Sequence, residues 1–482
     1  MKKKFIVFFG FTFLLSRIPF LNMGFGSDID SWVYADTGFA IFKTGKYFAS
    51  RGIGFPIYEF LLALLQKINE TIGISDWLFT NGLSMITSIA CLILFYKILT
   101  KWEVEHRELL LIAFTFMPVV WKNSINTMDY MLSLMFILFS QYLILQGKFP
   151  LSAIALGLAV GSRPTNGVML LPLLYLIWKE NKKEIPRFII VFFITSFLFF
   201  IPFLYSYKLF SPEEYKNYMY PPSTFTMNLS KIGYRIFYEF IGIDAAIFLL
   251  ILIPFSKEKL KVYFEAAKEK NKVVVFSTIT ILVFLALFIK YPFQPEYLIP
   301  LLPSAFILSG IFFKKRNLII LSLLVILNGF LIIPGVDFIF NSNGEVSIKP
   351  VPVSKGTLIT DIEKRNNILE FRKLLPNLDF KEHSIVIWHE YQPVYVYFNR
   401  NEIFETGTYF NSKRHLICLD YVFDPKKDIY MTHLVPDELR GLLTDHNIYY
   451  IPCAVRVIRG KSNIELLKYN PILLSKLKSM DY

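Results

Sequence analysis

Cysteine, histidine and charge are all scarce in this chain. Cys91, Cys418 and Cys453 are its three cysteines, too few for a disulfide scaffold and without metal-ligand spacing. Cys418 and Cys453 could pair only if their region faces an oxidising compartment. Of six histidines, His106 falls in a predicted cytoplasmic loop and His383 and His389 fall near the C-terminus; no histidine cluster is legible as a metal site. Charged residues are 18% of 482, against about 25% in a soluble domain, which excludes an ordinary soluble protein. No internal repeat is present, which weighs against a transporter built from duplicated halves.

What is abundant is apolar. Hydrophobic residues are 54% and aromatics 17% of the chain, the composition of a polytopic membrane protein. The net charge of +13 does not indicate nucleic-acid binding, because Lys and Arg sit in short clusters between apolar runs. Runs of about 20 residues, enough for ~30 Å of hydrocarbon, predict spans near 5–23, 77–99, 108–121, 128–146, 187–207, 236–255, 273–290, 296–313 and 317–335. The first lacks a small-residue cleavage site and reads as an uncleaved span.

The basic clusters assign the sides. Lys2–Lys4, Lys97/Lys101/Arg107, Lys148, Lys179–Arg187, Lys257–Lys272 and Lys314–Arg316 are expected in the cytoplasm. Lys148 and Lys179 share a side only if 150–178 enters and returns, so Gly161-Ser162-Arg163-Pro164-Thr165-Asn166-Gly167 is predicted to be a turn between two short helices. Pro164 disfavours helix at Arg163, and the two glycines ease a reversal. Helices of about 12 residues rise only ~18 Å, which leaves the turn within the outer half of the membrane against a cavity. The count comes to about eleven passes.

Everything after 337 has another composition. Alternation in Ser384-Ile385-Val386-Ile387-Trp388 and Val394-Tyr395-Val396-Tyr397-Phe398 predicts strands, with amphipathic helices at 361–375 and 436–446. The expected architecture is a transmembrane domain over 1–336 and a small extracytoplasmic α/β domain over 337–482.

Four groups of ionisable residues are predicted on the same outer face, where charge near a membrane is costly unless functional or wet. The first is Gly26-Ser27-Asp28-Ile29-Asp30-Ser31-Trp32-Val33-Tyr34-Ala35, opening a long loop (about 24–76). Two amphipathic helices are expected there on the membrane surface, with Asp in the first turn of one and Pro56 starting the other. Arg51 lies between them and Tyr58 follows Pro56. The second is Asp129, the third Arg163, and the fourth Gln294-Pro295-Glu296-Tyr297-Leu298-Ile299-Pro300-Leu301-Leu302-Pro303. For the carboxylates a helix-capping role stands beside the functional one, and for Arg163 a snorkelling interface cation does.

Taken together, these segments resemble the GT-C superfamily of integral membrane glycosyltransferases, including lipid-dependent mannosyl- and aminoarabinosyltransferases. "DIDSWVYADTGFAIFKTGKYF…GFPIYEFLLALL" is similar to that superfamily's first-loop pattern. "RPTNGVMLLPLLY" looks like its helix opened by a basic residue, and "PEYLIPLLP" like its acidic, proline-punctuated stretch. The resemblance covers residues 1 to about 335. It departs in having Asp-Ile-Asp in place of an adjacent acidic pair, and a single Pro56.

The resemblance implies inverting transfer of a sugar from a polyprenyl-phosphate donor to a lipid, glycan or protein acceptor on the extracytoplasmic face of the cell (plasma or inner) membrane. Asp30, or Asp28, would be the base that takes the acceptor's proton. Arg163, helped by Lys122 or Arg51, would hold the leaving phosphate. Asp129, Glu296, Tyr297, Tyr34 and Tyr58 would line the substrate. Oxygen ligands suit Mg²⁺ or Mn²⁺, and a divalent ion held by Asp28, Asp30 and Asp129 stands open beside a metal-free reaction. The alternatives are a polysaccharide polymerase or ligase and a transporter of lipid-linked saccharides.

Overall fold

A computed structural model of the chain describes residues 3–206, 225–252, 265, 268, 270–340, 346–375, 380–388, 392–405, 422–424, 426–432, 439 and 441–450. Cys418, Cys453, His389 and the first part of the expected 208–235 loop lie outside them.

The architecture is mostly helical. Helices α1 (Lys3–Leu15), α2 (Ile29–Thr44), α3 (Pro56–Ile72) and α4 (Asp76–Lys101) lead to α5 (Arg107–Phe116), α6 (Pro118–Asn123) and α7 (Tyr130–Ile144). Then follow α8 (Phe149–Ser162), α9 (Leu170–Asn181), α10 (Ile185–Ser206), α11 (Phe225–Gly233), α12 (Ile243–Leu252), α13 (Asn271–Lys290), α14 (Leu302–Phe312) and α15 (Lys315–Leu327). Among the described residues, Asp76–Lys101, Pro164–Tyr205, Asn271–Lys290 and Pro295–Phe312 are long and apolar enough to cross a membrane. Leu and Ile side chains of α10 such as Ile190, Ile194 and Leu198 are exposed, as expected of a face solvated by lipid.

Two apolar runs break where their prolines demand it. The 108–121 run divides at Met117-Pro118, since Pro118 begins α6 and cannot continue α5. The 150–178 run divides at Arg163, extended at φ −155 and ψ 106, before a 3₁₀ turn over Pro164–Met169. The glycines flanking this turn do not serve a reversal, for neither has a positive φ. A Cβ on Gly161 would meet Ile57 at 2.7 Å and Phe199 at 3.1 Å, and one on Gly157 would meet Thr195 at 2.6 Å. These are small-residue contacts that let α8 approach α10 closely.

Of the two first-loop helices, α3 keeps an exposed apolar face (Phe60, Leu64, Ile68, Ile72), whereas α2 is buried on every side. Ser31 to Ile41 of α2 are all buried, because Trp32, Val33, Tyr34, Phe39 and Ile41 are distributed around the helix and not along one stripe. One side packs on α3, and another meets the C-terminal region.

That region contains α16 (Thr357–Leu374), α17 (Gln392–Glu405) and strands β1 (Leu331–Ile332), β2 (Gly335–Phe340), β3 (Val346–Val351), β4 (Ser354–Lys355), β5 (Ser384–Ile387), β6 (Val422–Asp424), β7 (Ile429–Thr432) and β8 (Asn447–Tyr450). β2 and β3 form an antiparallel hairpin, and β1 pairs with β4. The main sheet has the order β6-β7-β5-β8, with β7 and β8 parallel to β5 and β6 antiparallel to β7. The stretch 384–387 is a strand as its pattern predicts, whereas Val394–Phe398 lies within helix α17. Val394, Val396 and Tyr397 are buried there against α2, and packing overrides β propensity. Within the expected 436–446 helix, Gly441–Thr444 form a 3₁₀ turn. Phe25 stacks edge-on against Tyr397 at 4.7 Å and Trp32 does so at 5.5 Å. The first loop and the C-terminal region thus share one apolar core.

Candidate functional site

The turn between α2 and α3 is fixed by one carboxylate. Glu59, in the first turn of α3, accepts from Ser50 N at 2.7 Å, Ser50 Oγ at 2.6 Å, Tyr47 OH at 2.5 Å and Phe55 N at 3.0 Å. Gly54 takes the left-handed φ of +69 that closes the turn. The result presents Arg51 toward the start of α2.

There Asp28 caps α2, accepting from Asp30 N at 3.0 Å. The cap is one link of a closed ring of hydrogen bonds. Asp30 accepts from Arg51 Nη1 at 2.6 Å, and Arg51 Nη2 donates to Tyr34 OH at 2.5 Å. Tyr34 OH donates to Asp129 Oδ1 at 3.0 Å, while Asp129 Oδ2 accepts from Arg163 Nη1 at 2.7 Å. Arg163 Nη2 donates to Tyr130 OH at 3.2 Å, and Tyr130 OH donates to Gln294 Oε1 at 2.7 Å. Gln294 Nε2 returns to Asp28 Oδ2 at 2.7 Å. Arg163 also lies over the rings of Tyr130 and Tyr297, 4.0 and 4.7 Å from their centroids.

One arc of this ring borders a cavity of about 850 Å³. Its walls are the Ser27–Asp30 turn, Lys122, the 234–239 turn, the Phe293–Glu296 segment and α16. Lys122 is ion-paired with Glu296. On the α16 side Asp361 accepts from Ser27 Oγ and from Arg365 Nε, the latter at 2.8 Å. Burial drives the Asp28 carboxyl upward, and the charges of Asp30 and Glu296 add to it, bringing it to about 7. Burial acts the same way on Asp361, but Arg365 and Lys122 outweigh it and hold that carboxyl below its ordinary range.

Asp28, Asp30, Lys122 and Glu296 therefore line the cavity, and Arg51, Asp129, Tyr34, Tyr58, Arg163 and Tyr297 do not. Arg163 is 3% exposed and ion-paired with Asp129 at 2.7 Å, whereas Lys122, paired with Glu296, is the cation among the four that border the cavity. Tyr58 is buried edge-on against Tyr34 at 4.8 Å. A divalent ion shared by Asp28, Asp30 and Asp129 does not fit this arrangement. Both oxygens of Asp129 are taken by Arg163 and Tyr34, and Arg51 lies 3.9 Å away.

Glu59, Tyr130, Gln294, Asp361 and Arg365 carry no assigned role in the sequence reading. Glu59 had one signal, an acid in a helix's first turn. Asp361 and Arg365 are i,i+4 partners on a helix, a pattern shared with any solvated face. A metal-type cluster is also present, contrary to the expectation from histidine spacing. His383, Asp428 and His446 come together in the C-terminal region, from strand starts far apart in sequence.

No protein-family model matches the chain, and no curated protein matches it. Among solved structures it is similar to ArnT from Cupriavidus metallidurans in the apo state. That likeness has a TM-score of 0.42 and 13% identity, covering 64% of this chain and 60% of that one. A likeness this distant leaves function to the residues themselves.

Proposed function

We propose that the protein is an integral membrane glycosyltransferase of the GT-C kind. It transfers a sugar, with inversion, from a polyprenyl-phosphate-linked donor to a lipid, glycan or protein acceptor at the extracytoplasmic face of a multi-pass membrane domain. The observation that carries this reading is the cavity in which two carboxylates, Asp28 and Asp30, stand on one wall with the Lys122–Glu296 pair on another. Its volume of about 850 Å³ falls in the range of pockets that hold a substrate-sized ligand.

In this reading Asp30 takes the proton of the acceptor hydroxyl as that oxygen bonds to the anomeric carbon. The bond from the anomeric carbon to the phosphate oxygen breaks, and the polyprenyl phosphate leaves with its electron pair. Lys122 is the cation near the departing phosphate. Arg51 holds Asp30 in place, and the buried Asp129–Arg163 pair holds Arg51's partner Tyr34. Asp28 caps α2 and faces the same cavity.

The test is direct. Purified full-length protein is incubated with labelled polyprenyl-phosphate sugars, and released polyprenyl phosphate is measured. The wild type is expected to release it, and Asp30→Asn to lose about a hundredfold or more of the rate. A folded Asp30→Asn protein with unchanged transfer sinks the assignment.

A further inference from the structure

Away from the cavity, three ligand-type side chains meet at one end of the main sheet. β5 is the central strand, flanked in parallel by β7 and β8, with Ser384 in register with both Ile429 and Asn447. The residues immediately before those three strands are His383, Asp428 and His446. The parallel ladder thus sets them side by side, about 4.8 Å from strand to strand. Backbone bonds pin them: His383 N donates to Lys427 O at 3.0 Å, Ser384 N to Asp428 O at 3.1 Å, and Asn447 N to His383 O at 2.9 Å.

The side chains converge as well. Asp428 Oδ2 lies 2.7 Å from His383 Nδ1 and 3.2 Å from His446 Nε2. All three ligand atoms fall within 4.8 Å of one another. His383 and Asp428 both have left-handed backbones, φ 54 and 52, which non-glycine residues seldom adopt without a local reason.

From this geometry we infer that His383, Asp428 and His446 form a binding site for a divalent first-row transition ion, with Zn²⁺ the best match. Two imidazoles and one carboxylate are the ligand set that zinc takes in three-ligand sites, at bonds of about 2.0–2.2 Å. Tetrahedral ligands at those lengths stand roughly 3.3 Å apart, close to the Asp428–His446 separation of 3.2 Å. His383 has the freedom to adjust, since its side chain is 69% exposed. None of the three residues lines the cavity. The ion therefore ties three strand starts together outside the site of transfer, and does so whether or not the transferase reading holds.

The experiment uses the full chain in detergent, purified with a tag that contains no histidine and stripped with EDTA. Zn²⁺ is titrated by calorimetry, and Co²⁺ by visible absorption, which reports a low-coordinate nitrogen and oxygen environment directly. The wild type should bind one equivalent of Zn²⁺, give the Co²⁺ spectrum, and unfold at a higher temperature with Zn²⁺ present. His383→Ala, a change at a side chain 69% exposed, should lose the Co²⁺ spectrum and weaken Zn²⁺ binding by more than about tenfold. Asp428→Asn, which keeps a hydrogen-bond acceptor but no charge, should do the same. If the wild type binds no Zn²⁺, or if His383→Ala binds it as the wild type does, the three residues are only two imidazoles hydrogen-bonded to a carboxylate and the proposal falls.

Discussion

Asp129 and Arg163 form an ion pair at 2.7 Å with side chains 0% and 4% exposed, joining α8's end to the start of α7. Both members are also bound into the ring that runs from Asp30 to Asp28. Removing one partner leaves the other charge buried and unpaired, which costs about 3–5 kcal/mol, whereas removing both is far milder. Asp129→Ala is therefore expected to lower the unfolding midpoint in detergent steeply. The Asp129→Ala/Arg163→Ala double variant should recover much of it, and with the two alanine singles it should give a coupling energy of about 1–3 kcal/mol in the double-mutant cycle. Additive single and double effects would show that the two side chains do not depend on each other.

Asp28 makes stability depend on pH in an unusual direction for a carboxylate. Burial first, and then the charges of Asp30 and Glu296, raise it to about 7 in the folded protein. Unfolded, it titrates near 3.9. Between those values the folded protein holds the proton that the unfolded chain has released. Its contribution is thus complete at low pH and is lost as pH rises through about 7. Asp28→Asn removes the titration and keeps the cap, since Asn caps as well as Asp. The variant should melt furthest above the wild type at pH 8, less so at pH 5, and close to it only below about pH 4. Parallel melting curves for the two proteins across that range would refute the prediction.

Glu296 touches two functions at once, because its carboxylate both pairs with Lys122 and raises Asp28. Glu296→Gln should shift the Asp28-dependent pH midpoint to lower pH. Lys122→Met removes the cavity cation assigned to the phosphate. Its expected signature in the transfer assay is a donor KM raised roughly ten- to a hundredfold, the worth of a hydrogen bond to a charged group. A Lys122→Met enzyme with the wild-type KM for donor would move the phosphate elsewhere in the cavity.

The parts of this molecule that could be read from sequence are those governed by local rules. Pro56 starts a helix, and runs such as 77–99, 128–146 and 273–290 became helices, whereas 108–121 broke at Pro118 and 317–335 left its helix at Leu327 for a strand. Asp28 and Asp30 stand at the head of α2 as their position before Trp32 suggested. What escaped depended on pairings distant in sequence. Gln294 joins Asp28 from 266 residues away, and no local pattern marks an amide for that role. Arg163 was legible as a special cation but not as one neutralised by Asp129, since nothing in either segment states their contact. His383 and His446 became neighbours only through the parallel ladder. Val394–Phe398 alternates like a strand, yet its burial against α2 made it a helix. Tertiary contacts decided which of the sequence-predicted residues border the cavity and which are paired away from it.

The crossing of α2 and α3 places Asp30 and Glu59 relative to each other, and it depends on Gly38. A Cβ at Gly38 would stand 2.7 Å from Leu62 Cβ and 3.1 Å from the Leu62 backbone carbon, so the helices would have to separate. Overpacking of this kind costs about 1–3 kcal/mol. Gly82 in α4 offers a control, because a Cβ there meets nothing within 4 Å. Gly82→Ala should stabilise by about 0.5–1 kcal/mol through helix propensity alone. Gly38→Ala should melt at a lower temperature than the wild type by tryptophan fluorescence, and should lose transfer activity as the Arg51–Asp30 contact is pulled apart. If both alanine variants gain stability, the α2–α3 contact is looser than 2.7 Å implies, and the first loop is not held rigidly against the cavity.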